Sequence, residues 1–357
     1  MKTIFKDLKV IELASVLAGP AVGLFFAELG AKVIKIENKQ TGGDVTRTWK
    51  LASEDQEAPV SAYYCAINWN KEVLFLDLKE ETGRQQVYEL VKTADVVLAN
   101  FKAGGAAALK MDYATLKQYN EQLIYGSING FGEESERVAF DVVLQAESGF
   151  MYMNGSPAGP PTKMPVALID ILAAHQLKQG LLVALLARQQ TGQGSHVGVS
   201  LLEAAVAALA NQATNWLMAG HIPQRMGSLH PNIAPYGELF TTVDGHYLVL
   251  AIGSDRQFKG LCHCLDLPDL ASNPLYQSNV LRVENREKLA ELLAQAFAVK
   301  EATPLLEACH AQQVPIGLVR NMKAVFEQPA LQEMILEEEI EGQATKRVKT
   351  AVFKQLG

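Results

Sequence analysis

Apolar residues fall in short blocks along the first 130 positions. Residues 8–13, 32–37, 73–78, 95–100 and 123–128 are rich in Val, Ile and Leu, with the length and composition of strands covered on both faces. Residues 20–29 and 80–94 carry helical patterns between them. Strands alternating with helices predict a largely parallel sheet with helices on both sides, and a ligand beyond the carboxyl ends of its strands. Residues 155–204 then run from a Pro/Gly loop through Val166-Ala167-Leu168-Ile169 to a lone carboxylate, Asp170. A long apolar helix follows, then the polar turn Thr191-Gly192-Gln193-Gly194 and a strand over 196–200. Residues 201–219 read as one unbroken helix, a linker or an interface. Beyond them the pattern changes. Runs 236–243 and 246–252 flank Asp244-Gly245, a hairpin signal, and helices are expected at 258–265, 286–298 and 303–310. Residues 314–319 read as a strand returning to the first domain and 325–334 as helical. The α/β chain therefore divides into a large domain over 1–200, a linker helix over 201–225, a small α+β domain over 226–312 and a C-terminal return over 313–357.

Composition narrows the function. The chain has 357 residues, 48% of them apolar, and a net charge of −7. It has no general affinity for nucleic acid or an anionic membrane, so a polyanionic ligand needs a local basic cluster. Four cysteines are too sparse for a disulfide framework. Cys262-His263-Cys264 lacks a second ligand pair at zinc-finger spacing and lies in an apolar run, so no metal site is expected. A reducing cytoplasm is the expected compartment, and residues 1–8 lack the apolar core of a signal peptide. Residues 166–187 approach membrane-spanning length, but Asp170, His175, Gln176, Lys178 and Gln179 interrupt them, as in a core helix.

Asp170, at the start of that helix, admits two readings. Asp is a favoured N-cap, accepting from the orphan N–H groups of the first turn, and the helix dipole favours its charge. A carboxylate there can also serve as a covalent nucleophile. Spacing alone leaves both open.

A resemblance bears on the choice. The opening Val10-Ile11-Glu12-Leu13, Ala18-Gly19-Pro20-Ala21 and Leu29-Gly30-Ala31-Lys32-Val33-Ile34-Lys35-Ile36-Glu37 is followed by Gly43-Asp44 with Arg47, and by Asn70-Lys71 with Leu76-Asp77-Leu78-Lys79. Asn100-Phe101, Gly130-Phe131-Gly132, the Asp170 segment, His230-Pro231-Asn232-Ile233-Ala234-Pro235-Tyr236 and Asp244-Gly245 complete the series. In this order, from about residue 8 to about residue 328, they resemble the class III CoA-transferases, which include formyl-CoA:oxalate and carnitine CoA-transferases. The resemblance implies a Rossmann-like large domain made from both ends of the chain, and two subunits interlocked as a homodimer. It implies CoA transfer between an acyl-CoA and a carboxylic acid, with coenzyme A as substrate and no permanently bound cofactor. Asp170 matches the catalytic aspartate that forms an anhydride and then a CoA thioester. Val16, Leu17 and Ala18 match backbone contacts to CoA, Leu76 and Lys79 a backbone and a cationic contact, and Asn100 and Phe101 the nucleotide and pantetheine path. Arg47 and Lys102 are further candidates for phosphate pairing, and Gly253 for a flexible cover. Two positions depart from the family. Asn38 stands where a basic residue often follows Glu37, and Ala106-Ala107-Ala108 where an Arg often lies, with Lys110 the nearest cation. The chain also ends earlier than a typical member, which implies a reduced closing segment.

Three alternatives stand beside this reading. An α-methylacyl-CoA racemase needs a His in a Gly-His-Asp motif, and here the stretch reads Ala139-Phe140-Asp141. His175 is expected to be a packed side chain inside the helix. A dinucleotide-binding oxidoreductase needs Gly-x-Gly-x-x-Gly, where this chain has Ala18-Gly19-Pro20-Ala21-Val22-Gly23. A non-catalytic acyl-CoA-binding relative would differ only in activity.

Overall fold

The computed structural model describes residues 3–354. Its first unit comprises Met1–Met151, Lys163–Pro223 and Glu333–Gly357. At its centre are β1 (Lys9–Glu12), β2 (Lys32–Asn38), β3 (Lys71–Leu76), β4 (Val96–Ala99), β5 (Ile124–Asn129) and β6 (Ser195–Ser200), in the order β3-β2-β1-β4-β5-β6. Every pairing in this sheet is parallel. Because side chains alternate along a strand, the apolar runs feed two layers. Val10, Val33, Val96, Leu98 and Ile124 pack under α1 (Ala18–Glu28) and the long helix Leu168–Thr191. Ile11, Ile34, Ile36, Val97 and Tyr125 face the other side, with Val87, Tyr88 and Val91.

The long helix is the one element among the described residues long and apolar enough to cross a membrane. Its Ile169, Ala173, Ala174, Leu177, Leu181 and Ala184 belong instead to the core under the sheet. Each large apolar side chain buried there contributes about 1.5–3 kcal/mol. Gly180 permits the close approach: a Cβ on it would lie 2.7 Å from Val197 Cγ1 of β6.

The second unit comprises Tyr152–Thr162 and Gln224–Gln332. Here β7 (Tyr236–Thr241), β8 (Tyr247–Ala251) and β9 (Ile316–Leu318) form an antiparallel sheet. Helices Asp255–Cys264, Arg286–Phe297 and Ala302–Ala311 supply the rest of a core around Phe240, Leu248, Leu250, Phe258, Leu293 and Phe297.

Three boundaries differ from the sequence expectation. Residues 314–319 do not return to the first domain, since β9 pairs with β8. The return begins near Glu333. It forms a hairpin of β10 (Ile335–Ile340) and β11 (Gln343–Val348) whose turn, Glu341-Gly342, has φ +52° and +84°, the positive pair a tight hairpin turn demands. Its strands hold the polar runs Glu337-Glu338-Glu339 and Thr345-Lys346-Arg347, so no continuous apolar run marks this hairpin in the sequence. The stretch 201–219 is two helices, Leu201–Ala207 and Asn211–Ala219, separated at Ala210 with φ +49°. The loop Tyr152–Thr162, expected in the large domain, joins the second unit, where Gly155 C=O accepts from Gly227 N–H at 2.9 Å.

Candidate active site

Strands β1 and β4 are neighbours whose onward connections run to opposite sides of the sheet, the place where an open α/β sheet forms its crevice. The chain leaves β1 through Ser15–Leu17 and leaves β4 through Asn100–Lys102. Asn100 ties the two together, accepting from Ser15 N–H at 2.9 Å and donating to Ser15 C=O at 2.7 Å. Around this tie lie two chambers. One, of about 300 Å³, is lined by Val16, Leu17, Ala18, Asn100, Lys102 and Asp170, together with residues 137–141. The other, of about 360 Å³, is lined by Leu13, Asn38, Leu76, Lys79 and Leu109 among others. Ser15 and Phe101 belong to both linings.

Asp170 is not the helix cap. The N-terminal N–H groups of Ile169 and Asp170 are satisfied from another element by Asp141 Oδ1, at 2.7 and 3.3 Å. Asp141 is itself held by the amide of Gln145, a fully buried side chain that also accepts from Met164 N–H. The Asp170 carboxylate, half-buried, makes no hydrogen bond among the described residues. Burial, and then the negative charge of Asp141, push its acid group up to about 7. A carboxylate freed from capping and near neutrality in its titration can act as a base or as a nucleophile.

The sequence candidates divide cleanly. Val16, Leu17, Ala18, Asn100, Phe101, Lys102 and Asp170 meet in one chamber, and Leu76, Lys79 and Phe101 in the other. Arg47 meets neither. Its guanidinium is buried and engaged by Glu37 at 2.6 Å, Glu341 at 2.9 Å and Tyr64 Oη at 2.9 Å, so the proposed phosphate pairing is corrected to a structural ion pair. Asn38 is exposed and caps the short turn Lys39–Thr41, accepting from Gln40 N–H. Gly253 lies between β8 and the Asp255–Cys264 helix, its N–H on Gln257 Oε1. His175 is exposed rather than packed and lies outside both linings, whereas Phe140 lines the Asp170 chamber. Sequence reasoning passed over Arg137 and Asp141. Arg137 lines the same chamber, its guanidinium 3.8 Å over the Phe131 ring and paired with Glu147. Asp141 was visible only as the neighbour of Phe140, because a cap supplied from another element leaves no local spacing.

Residues 5–355 match CoA-transferase family III. The chain belongs to that family. It is similar to the succinate–glutarate CoA-transferase of Agrobacterium fabrum, 39% identical over 342 residues, 94% of this chain and 85% of the relative. The human succinyl-CoA:glutarate CoA-transferase is 34% identical, with 91% of this chain and 73% of the relative covered. The crystal structure of a CaiB/BaiF family protein from Brucella suis superposes with a TM-score of 0.89 at 37% identity, covering 99% of this chain and 93% of that one. This family III chain is a transferase, with CoA passing between an acyl-CoA and an acid as its chemistry.

Proposed function

We propose that Asp170 is the nucleophile of this CoA-transferase. Its carboxylate attacks the donor thioester carbonyl and CoA thiolate leaves, giving an aspartyl–acyl anhydride. The thiolate then attacks the aspartyl carbonyl, releasing the donor acid as a carboxylate and leaving an aspartyl–CoA thioester. The acceptor carboxylate attacks that thioester, thiolate leaves again, and its attack on the acceptor carbonyl gives the new acyl-CoA and frees Asp170. One thioester replaces another, so no external energy source is needed.

The observation that carries this reading is the Asp170 carboxylate, without hydrogen-bond partners among the described residues, in a chamber shared with the turn after β1. The first turn of α1 has no side-chain cap; Pro20 lacks an N–H and Ala21 donates to Leu17 C=O, so the N–H groups of Ala18 and Gly19 supply donors for the carbonyl oxygen as charge develops. Lys79 and Lys102 at the chamber walls, with Arg137, supply cations for CoA phosphates. The relatives' substrates favour short dicarboxylic acids as the acid pair, with succinyl-CoA the first donor to try. The exposed apolar side chains Val183 and Leu186 on the long helix, and Trp216, Leu217 and Met218 beyond it, support a homodimer. Intact-mass analysis after incubation with succinyl-CoA, with and without glutarate, tests the mechanism: a CoA adduct mapped to Asp170 is expected. Asp170→Ala should lack both adduct and exchange while remaining folded. Normal turnover by that variant defeats the assignment.

A further inference from the structure

The turn that carries β1 into α1 contains the backbone feature nearest the chemistry. Val16, a β-branched residue, has φ +70°, a conformation such residues adopt only where their surroundings over-determine it. Its surroundings do so with buried charge. Val16 N–H donates to Asp44 Oδ2 at 3.1 Å. Asp44 is almost wholly buried, accepts twice from Thr46, and pairs with Lys35 at 3.1 Å. Lys35, equally buried, donates to Ala14 C=O at 2.8 Å and to Glu12 Oε1 at 3.0 Å. Glu12 is shared in turn with the buried Lys71, 2.8 Å from its other oxygen.

Space for this cluster has been left beneath α1, since a Cβ on Gly23 would lie 1.8 Å from Glu12 Oε2. Buried ion pairs add little net stability compared with apolar packing, so a buried cluster attached to one strained peptide calls for another reason. That peptide sits between the two chambers. Ser15 belongs to both linings, and Val16, Leu17 and Ala18 wall the one that holds Asp170.

We propose that Asp44, fixed by Lys35, is a positioning residue for CoA transfer: it holds Val16 in the left-handed conformation and so sets the backbone of Leu17 and Ala18 against Asp170. The inference rests on Asp170 being the nucleophile. Asp44 touches no substrate and acts through the turn alone.

Glycine reaches φ +70° without strain, which gives a test that separates positioning from mere stability. The rate of CoA-adduct formation from succinyl-CoA is measured per folded molecule for wild type, Asp44→Ala, Val16→Gly and the double variant, with a thermal midpoint for each. Positioning predicts that Asp44→Ala loses about tenfold or more in maximum rate, the scale of a misplaced reacting group. It also predicts that Val16→Gly restores most of that rate in the double variant, although the double variant is no more stable. A structural role predicts a lower midpoint, an unchanged rate per folded molecule and no rescue, and either an unchanged rate or absent rescue overturns the proposal. If Asp44→Ala does not fold, Asp44→Asn with and without Val16→Gly makes the same comparison. Absence of an adduct on wild-type Asp170 would instead defeat the mechanism beneath it.

Discussion

As the proposed nucleophile, Asp170 must be ionised to attack a thioester, and its acid group sits at about 7 rather than its ordinary 3.8. The rate of adduct formation in a single turnover should therefore rise with pH and reach half its maximum near pH 7. Between pH 6 and pH 8 the ionised fraction climbs from about one tenth to about nine tenths, nearly a tenfold change in rate. Burial is the larger cause of the raised value and Asp141 the smaller. Asp141→Asn removes the charge but keeps an oxygen for the N–H groups of Ile169 and Asp170. The half-maximal pH should then fall, yet by less than half the rise, staying above about 5. Gln145, held between Asp141 and Met164 N–H, cannot satisfy a new amide and its old partner together. The variant should thus lose about 1–3 kcal/mol of stability from one unmet buried group. Linkage fixes a second sign. A folded-state value above the unfolded one makes the ionised form the unfavourable one, so the stability advantage of protonated Asp170 is complete below about pH 4 and is lost as pH rises through about 7, at about 1.4 kcal/mol per pH unit. Asp170→Asn should flatten that slope. Quenched-flow intact mass from pH 5 to 9 reads the rates, and denaturant midpoints read the stability. A rate flat across this range, or an identical profile in Asp141→Asn, refutes the reasoning.

Arg47→Met should cost about 3–5 kcal/mol, because it strands Glu37 in the interior, while the KM for acyl-CoA per folded molecule stays unchanged; a large rise in KM would return Arg47 to the phosphate site. With Phe140 lining the chamber where a racemase would need an exchangeable proton, no active-site-dependent deuterium should enter Cα of a 2-methylacyl-CoA in heavy water, and rapid wash-in would contradict this. Interlocked subunits should sediment as a dimer at nanomolar concentration and separate only on unfolding, so a stable folded monomer would exclude interlocking.

Much of the first unit was legible because its strands are buried on both faces. Val10-Ile11, Val33-Ile34 and Val96-Val97-Leu98 read as continuous apolar runs, and each became a strand of the parallel sheet. The hairpin around Asp244-Gly245 was legible from its turn. What failed lacks such local signals. Residues 335–348 run through Glu337-Glu338-Glu339 and Thr345-Lys346-Arg347 with few apolar positions, and the hairpin they form turns at Glu341-Gly342, where Glu341 accepts from Arg47, nearly 300 positions away in sequence. Arg47 was misread for the same reason. Charge marks it as a ligand for phosphate, and only the fold brings Glu37, Tyr64 and Glu341 round it.

The division of labour between Asp141 and Asp170 shows why the two readings of a helix-start carboxylate need not compete. One carboxylate cannot both accept the first-turn N–H groups and remain free to attack, since each hydrogen bond to the charged form lowers both its pKa and its nucleophilicity. This fold assigns capping to Asp141, from a different helix, and leaves the Asp170 carboxylate, at the third position, without a hydrogen-bond partner among the described residues. The same separation recurs in the turn after β1, where Asp44 and Asn100 take the N–H groups of Val16 and Ser15. The first turn of α1, by contrast, is given no side-chain cap. In both places backbone N–H groups beside the chamber are satisfied by side chains from other elements, which fixes the backbone without engaging the Asp170 carboxylate.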